Sequence, residues 1–480
     1  MRIPLLFSAL LAIVMNLPGQ DHFDCFSVLV GKEASADGSV MLAHNEDDWG
    51  ERLVNWYKVP GSQNKAGETY TLKRGGIMER PATTWSFWWL EMPEMEFSDS
   101  YVNEWGVTIV SDACLSREDQ PELTDGGIGY WLRRAMAMQA RSAREAVKIG
   151  GALIEKYGYA SSGRTYCIAG PREVWMLAAV NGKHWVAQRV PRNHVALIPN
   201  YYTITKVNLG DTMNYYGSSD LVQYAIKRGW YNPKTDGVFN FRLVYSDPGT
   251  LTNMGNLVRH ASAVNLLSEK TYHVDDPIPF SFEPKEKVTL QDLFAILRNH
   301  NEGSPFYTWE ADGLNNPHQQ GRGVCANTTQ YGMVVQIRSN RPKELATVMW
   351  IAPFRPCVHP FVPWYFGLNE TPEGFAAGKF NTAMETHFNE ITNLKEVAGN
   401  HRFLEFVNHA KAVDTAYATL APGLIKVVTD MENKWIEREA GYEKKMISLG
   451  SRDKEAMIRS LSGYTNDKLD EVRKLIRSRK

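Results

Sequence analysis

The chain has 480 residues, 43% of them hydrophobic and 22% charged, with 53 Lys and Arg against 54 Asp and Glu. That length buries one large core or two ordinary ones. The balanced charge, with no long run of one sign before the C-terminus, argues against nucleic acid or a membrane surface as the main partner.

The first twenty residues, MRIPLLFSALLAIVMNLPGQ, give a short basic start at Arg2, an apolar stretch over residues 3–17, and then Pro18 and Gly19. This is too short to span a bilayer and reads as a secretory signal, so the expectation is a soluble protein exported to a periplasm or outside the cell. No small-x-small pattern marks a cleavage point before Asp21 or Cys25. Phe23 and Asp24 do not supply the small or aliphatic context that lipidation of Cys25 needs.

Residues 25–43 alternate around Ala36-Asp37-Gly38-Ser39, which predicts two strands joined by a turn, with Cys25 starting the first and residues 44–48 leaving the second. Further strands are predicted at 69–74, 84–90, 107–113 and 164–169, and a hairpin at 173–190 turning on Asn181-Gly182. Apolar residues at helical spacing mark 128–139 and 144–157, the second opened by the capping box Ser142-Ala-Arg-Glu145. A helix at 290–299 and strands at 332–337 and 346–351 follow, and after about residue 382 the pattern is helical to the basic end EVRKLIRSRK. Strand runs with helices grouped between them predict sheets covered by helices, an α+β fold in one large domain.

Cysteines 25, 114, 167, 325 and 357 are an odd number for an exported chain, so at least one thiol is expected free; order alone does not give the pairing. The chain has no G-x-S-x-G, H-E-x-x-H or C-x-x-C, which speaks against a nucleophile elbow and against a zinc site. Removal of the residues before Cys25 would give it both a thiol and a free α-amine. An amine of pKa about 7.7–8 suits a thiol of about 8.5, so one residue can supply nucleophile and base. The competing reading is a buried, inert strand cysteine.

Cys25 is the first of an ordered set: VGKEASADGS and NEDD, NEWGVTI, GIGYWLRRAMAMQARSAREAV, EKYGY, EVWML, HWVAQRV, IPNYYTI, FYTWEADGL, CANTTQ and FVPWYFGL, ending near Gly367. In this order and spacing the sequence resembles the cysteine dipeptidases, of dipeptidase A and secernin type, in the N-terminal-nucleophile (Ntn) hydrolase superfamily. Penicillin V acylases and bile-salt hydrolases are more distant relatives. The resemblance implies a four-layer αββα sandwich with a mostly helical C-terminal extension. It also implies hydrolysis of a dipeptide or short peptide through a thioester at Cys25, with no metal and no organic cofactor. The corresponding parts are a signal peptide (1–20), a short propeptide (21–24, with His22 and Asp24), a catalytic domain (25–381) and a helical region (382–480) packed on it or extending it. Homo-oligomerisation stays open.

Carried over residue by residue, Asp47 matches the acid beside the nucleophile's own amine, Asn200 the oxyanion donor, and Arg259 an arginine that holds the thiol toward thiolate. A turn-capping Asp47, a turn Asn200 and a solvated helix-face Arg259 are the competing readings. Two positions depart from the acylase branch. His44 stands where that branch has arginine, and Asp112 stands where it has an oxyanion-hole asparagine, so both enter as substrate or oxyanion candidates. The aromatic runs 85–89 and 361–366 read as core or as pocket lining. The alternatives kept open are an N-acyl amide hydrolase on the same fold and a secreted binding protein that has lost catalysis.

Overall fold

The computed structural model describes residues 25–48, 52–389, 399 and 401–478. The expected signal and propeptide lie outside them.

Two antiparallel sheets form the centre. The six-stranded sheet runs Val195–Ile198, Phe26–Val30, Val40–Asp47, Thr329–Ile337, Thr347–Pro353, Val362–Tyr365. The eight-stranded sheet runs Tyr215–Gly217, Trp185–Val190, Val174–Ala179, Arg164–Ala169, Thr108–Ala113, Ser100–Asn103, Phe87–Glu91, Asn55–Val59. They meet where Phe26–Val30 lies over Thr108–Ala113 and Arg164–Ala169. Helices Trp131–Gln139 and Ala143–Tyr157 pack on the eight-stranded sheet, and Met254–Leu267 and Leu290–Leu297 on the six-stranded one. The result is the expected α+β, four-layer αββα sandwich.

The central strands are buried on both faces, and period-two alternation sorts their side chains between two apolar clusters. Val110, Cys167 and Met176 join the cluster between the sheets. Their neighbours Ile109, Ile168 and Trp175 join the cluster under the helices, with Leu132, Met136 and Ile154.

Several predicted boundaries shift for physical reasons. The second strand runs through residues 44–47, because Thr329–Ile337 pairs with it as far as Thr329 opposite Asp47. The stretch 84–90 splits into Thr83–Thr84 and Phe87–Glu91, on different sheets. Ser142 Oγ accepts from Glu145 N at 3.2 Å as a cap, but the Glu145 carboxylate takes Arg141 N, one residue outside the expected box. Trp88, Trp89, Phe361 and Trp364 are fully buried, with Trp88 edge-on to Trp364, so these aromatic runs are core rather than pocket lining.

The C-terminal helices Phe403–Asp414, Tyr417–Gly450 and Lys454–Ser478 flank the edge strand Val362–Tyr365. Thr465 Oγ1 donates to Pro363 O at 2.9 Å, and Tyr365 OH donates to Glu439 at 3.1 Å. The edge is thereby covered against pairing with another chain. Among the described residues, no helix is long and apolar enough to cross a membrane.

Candidate active site

Cys25 sits at the mouth of the first strand, and strand register alone places its neighbours. Ser27 lies opposite His44 on one side and opposite Ile198 on the other. Two residues further out, the same antiparallel count sets Cys25 between Glu46 and Asn200. Cys25, Ser27, His44 and Glu46 therefore share the face turned toward the second sheet, while Asn45 and Asp47 share the opposite face. Accordingly, Asn45 Nδ2 donates to Leu297 O and Val324 O in the helix layer, each at 2.9 Å.

The thiol lies 3.4 Å from Glu46 Oε1, and it touches the Asp47 main chain at 3.5 Å through both N and O. Burial, then the carboxylates of Glu46, Asp47 and Asp112, push the thiol well above its ordinary pKa. With residue 24 attached, Cys25 is thus a protonated, buried thiol.

Beneath it runs a chain of buried hydrogen bonds. Glu46 Oε2 is 3.0 Å from His44 Nε2, His44 Nδ1 is 2.8 Å from Ser27 Oγ, and Ser27 donates to Asp112 Oδ2 at 2.7 Å. Since the Ser27 proton goes to Asp112, His44 donates through Nδ1 and accepts at Nε2 from a protonated Glu46. The titration directions agree: burial raises Glu46 well above the carboxylate range, lowers His44 to about 4, and raises Asp112 to about 6. His44 and Asp112 are fully buried, and their bonds go to protein partners. The two substrate or oxyanion candidates read from the sequence thus lie in this buried chain beneath the thiol.

Asn200 and Arg259 come together on the other side of Cys25. Arg259 Nη2 donates to Asn200 Oδ1 at 2.8 Å and to Asn256 Oδ1 at 2.7 Å, while Nη1 reaches Cys25 O at 3.4 Å. Arg259 is 1% exposed, which excludes the solvated helix-face reading. Its guanidinium thus ties the Cys25 carbonyl to the side chains of Asn200 and Asn256. Asn200 Nδ2 donates to Ala113 O at 3.0 Å, and its second hydrogen is available to another acceptor.

Asp47 is held from the neighbouring strand, where Thr329 Oγ1 donates to Oδ1 and Thr328 Oγ1 reaches the same oxygen at 3.4 Å.

Residues 24–415 match Peptidase family C69. The chain belongs to that family. Among curated proteins similar to it, a probable dipeptidase of Latilactobacillus sakei is 26% identical over 73% of this chain and 76% of its own. A probable dipeptidase of Salmonella dublin is 25% identical over 78% and 88%, and dipeptidase A of Lactobacillus helveticus 24% over 77% and 81%. Among solved structures, penicillin V acylase from Agrobacterium tumefaciens aligns over 68% of this chain and 82% of its own, at 13% identity and TM-score 0.34.

For this C69 peptidase, sequence reasoning passed over Glu46, Ser27, Thr329 and Asn256. Glu46 was recoverable from register, because a hairpin pairing Ser27 with His44 sets Glu46 opposite Cys25. Thr329 and Asn256 carry no spacing signal, since each meets its partner only through folding. Cavities of about 550 and 710 Å3 open near Asp37 and near Trp105, and neither is lined by Cys25, Asp47 or Asn200.

Proposed function

We propose that this C69 peptidase is an exported dipeptidase in which Cys25, freed at its amine, is nucleophile and base. The observation that carries the reading is the flanking of one strand-end cysteine by Glu46 and Asp47 on one side and the Arg259-held Asn200 on the other. The dipeptidase names of its relatives support the substrate class, and the apolar stretch at residues 3–17 supports export.

Removal of residues 1–24 turns the Cys25 peptide nitrogen into an amine. That amine takes the thiol proton, and the resulting ammonium beside the sulfur offsets the burial and carboxylate effects that raise its pKa. Asp47 orients the ammonium. The thiolate attacks the peptide carbonyl, and the oxyanion takes the free hydrogen of Asn200 Nδ2. Collapse of the tetrahedral species breaks the C–N bond, with the ammonium proton passing to the departing amine. Water then gives its proton to the α-amine, attacks the thioester, and releases the N-terminal amino acid with the thiol restored.

The test is turnover of a panel of dipeptides by the processed chain and its Cys25→Ser form. Loss of kcat by orders of magnitude in the variant, with an unchanged circular dichroism spectrum, is expected. Near-normal turnover by Cys25→Ser would overturn the assignment.

A further inference from the structure

A second cluster of reactive side chains lies away from Cys25, at the end of the six-stranded sheet under the C-terminal helices. His300, His318, Cys325 and Cys357 are all buried, and their ligand-type atoms lie within 4.8 Å of one another. They come from four separate places. His300 follows the helix Leu290–Leu297, His318 sits in the 3-10 turn Pro317–Gln320, Cys325 precedes the strand Thr329–Ile337, and Cys357 lies between the strands Thr347–Pro353 and Val362–Tyr365.

We propose that His300 Nε2, His318 Nε2, Cys325 Sγ and Cys357 Sγ form a closed structural Zn2+ site. With Zn–S at about 2.3 Å and Zn–N at about 2.0–2.1 Å, a tetrahedral site has ligand-to-ligand edges of roughly 3.3–3.8 Å. The pair His318 Nε2 and Cys357 Sγ already stands at 3.2 Å, and the whole set fits within 4.8 Å.

The surroundings of His300 point the same way. His300 Nδ1 is 2.7 Å from Glu302 Oε1, and His318 Nδ1 is 3.1 Å from Asp414 Oδ1. The Glu302 carboxylate at His300 Nδ1 assigns the proton there and leaves that ring's Nε2 lone pair for a metal, the usual arrangement behind zinc-bound histidine, and His318 presents Nε2 to Cys357 Sγ. His300 Nε2 is buried and makes no hydrogen bond, a cost that a metal would remove. Two thiolates and two neutral imidazoles balance the ion's charge, as a buried site requires. Binding exchanges two S–H protons, released to solvent, for two Zn–S bonds. A cavity of about 260 Å3 lined by His300, Glu302 and Cys357 gives the ion a route in.

The other grouping of such donors, Cys25 with His44 and Glu46, is the active-site cluster, and there both His44 nitrogens are already hydrogen-bonded. The absence of a C-x-x-C pair hid the second site, because its ligands are brought together by the fold and not by spacing. Its position also has a consequence for catalysis: Cys325 anchors the segment whose Thr328 and Thr329 hydroxyls reach Asp47.

The test uses the full chain, grown with zinc and purified without chelator, with metal read by inductively coupled plasma mass spectrometry. About one zinc per chain is expected for the unaltered protein and for Cys25→Ser, and background for Cys357→Ser. Glu302→Gln should retain the site but weaken zinc binding about 10–100-fold. Should Cys357→Ser fail to fold, cobalt exchange into the unaltered chain reads the same site, through tetrahedral d–d bands and thiolate-to-cobalt charge transfer. A zinc-free unaltered chain, zinc lost in Cys25→Ser, cobalt spectra without thiolate character, or a Cys325–Cys357 disulfide in a non-reduced peptide map would each overturn the proposal.

Discussion

Arg259 Nη2 donates to Asn200 Oδ1 at 2.8 Å, and this bond decides which end of the Asn200 amide is left to donate. An arginine has no acceptor, so the oxygen must face it and Nδ2 must face away.

Asn200→Ala should lower kcat for dipeptides about a hundredfold, the ordinary cost of one oxyanion donor, with a smaller change in KM. Arg259→Gln should do much the same through loss of orientation, and the double variant should be little worse than either single one. Strictly additive losses in a steady-state kinetic comparison would contradict the dependence of Asn200 on Arg259.

Thr329 Oγ1 donates to Asp47 Oδ1 and accepts from Ala326 N at 2.9 Å. Thr329→Val should loosen Asp47, weaken its hold on the ammonium, and move the acid limb of the kcat/KM profile to lower pH. Thr329→Ser should restore the profile. A pH profile that Thr329→Val leaves in place would remove Asp47 from the amine.

Glu46 is the first carboxylate, after burial itself, that raises the Cys25 thiol. At alkaline pH, where Glu46 is ionised, Glu46→Gln should therefore lower that pKa and speed alkylation of Cys25 by iodoacetamide, read by mass spectrometry. Equal or slower alkylation would contradict the contact.

The buried chain beneath the thiol makes stability depend on pH in two opposed ways. His44 is lowered from 6.5 to about 4, so its contribution is present above 6.5 and is lost as pH falls toward 4. Asp112 is raised from 3.8 to about 6, so its contribution is full below 3.8 and is lost as pH rises through 6. Between pH 7 and pH 5, urea titrations should show the unaltered protein losing about 2 kcal/mol relative to His44→Gln. Over the same interval it should gain about 1 kcal/mol relative to Asp112→Asn. Shifts of the reverse sign would mean a different protonation order along the chain.

Much of this was legible before folding. The Asn181-Gly182 hairpin appears as strands Val174–Ala179 and Trp185–Val190, and the predicted strand at 164–169 matches Arg164–Ala169 because turn chemistry and apolar runs are local signals. Cys25, Asp47 and Asn200 were legible as an ordered set of motifs, and register explains why they converge. The buried partnership of His44 with Ser27 and Asp112 was not legible, since the two sheets that carry it meet only in three dimensions. Arg259 was named from the motif order with a solvated helix face as the competing reading, and only the six-stranded sheet beneath its helix shows that it is buried. The cluster of His300, His318, Cys325 and Cys357 shows the limit most plainly, because spacing rules see only ligands that are close in sequence.

The proposed chemistry depends on a free amine at Cys25, so the most direct measurement is the intact mass and N-terminal sequence of the protein at full dipeptidase activity. The account predicts a chain that begins at Cys25, with activity rising in step with that species. Full turnover by a chain that still carries residue 24 would contradict it, because the base that the thiol needs would be locked in a peptide bond.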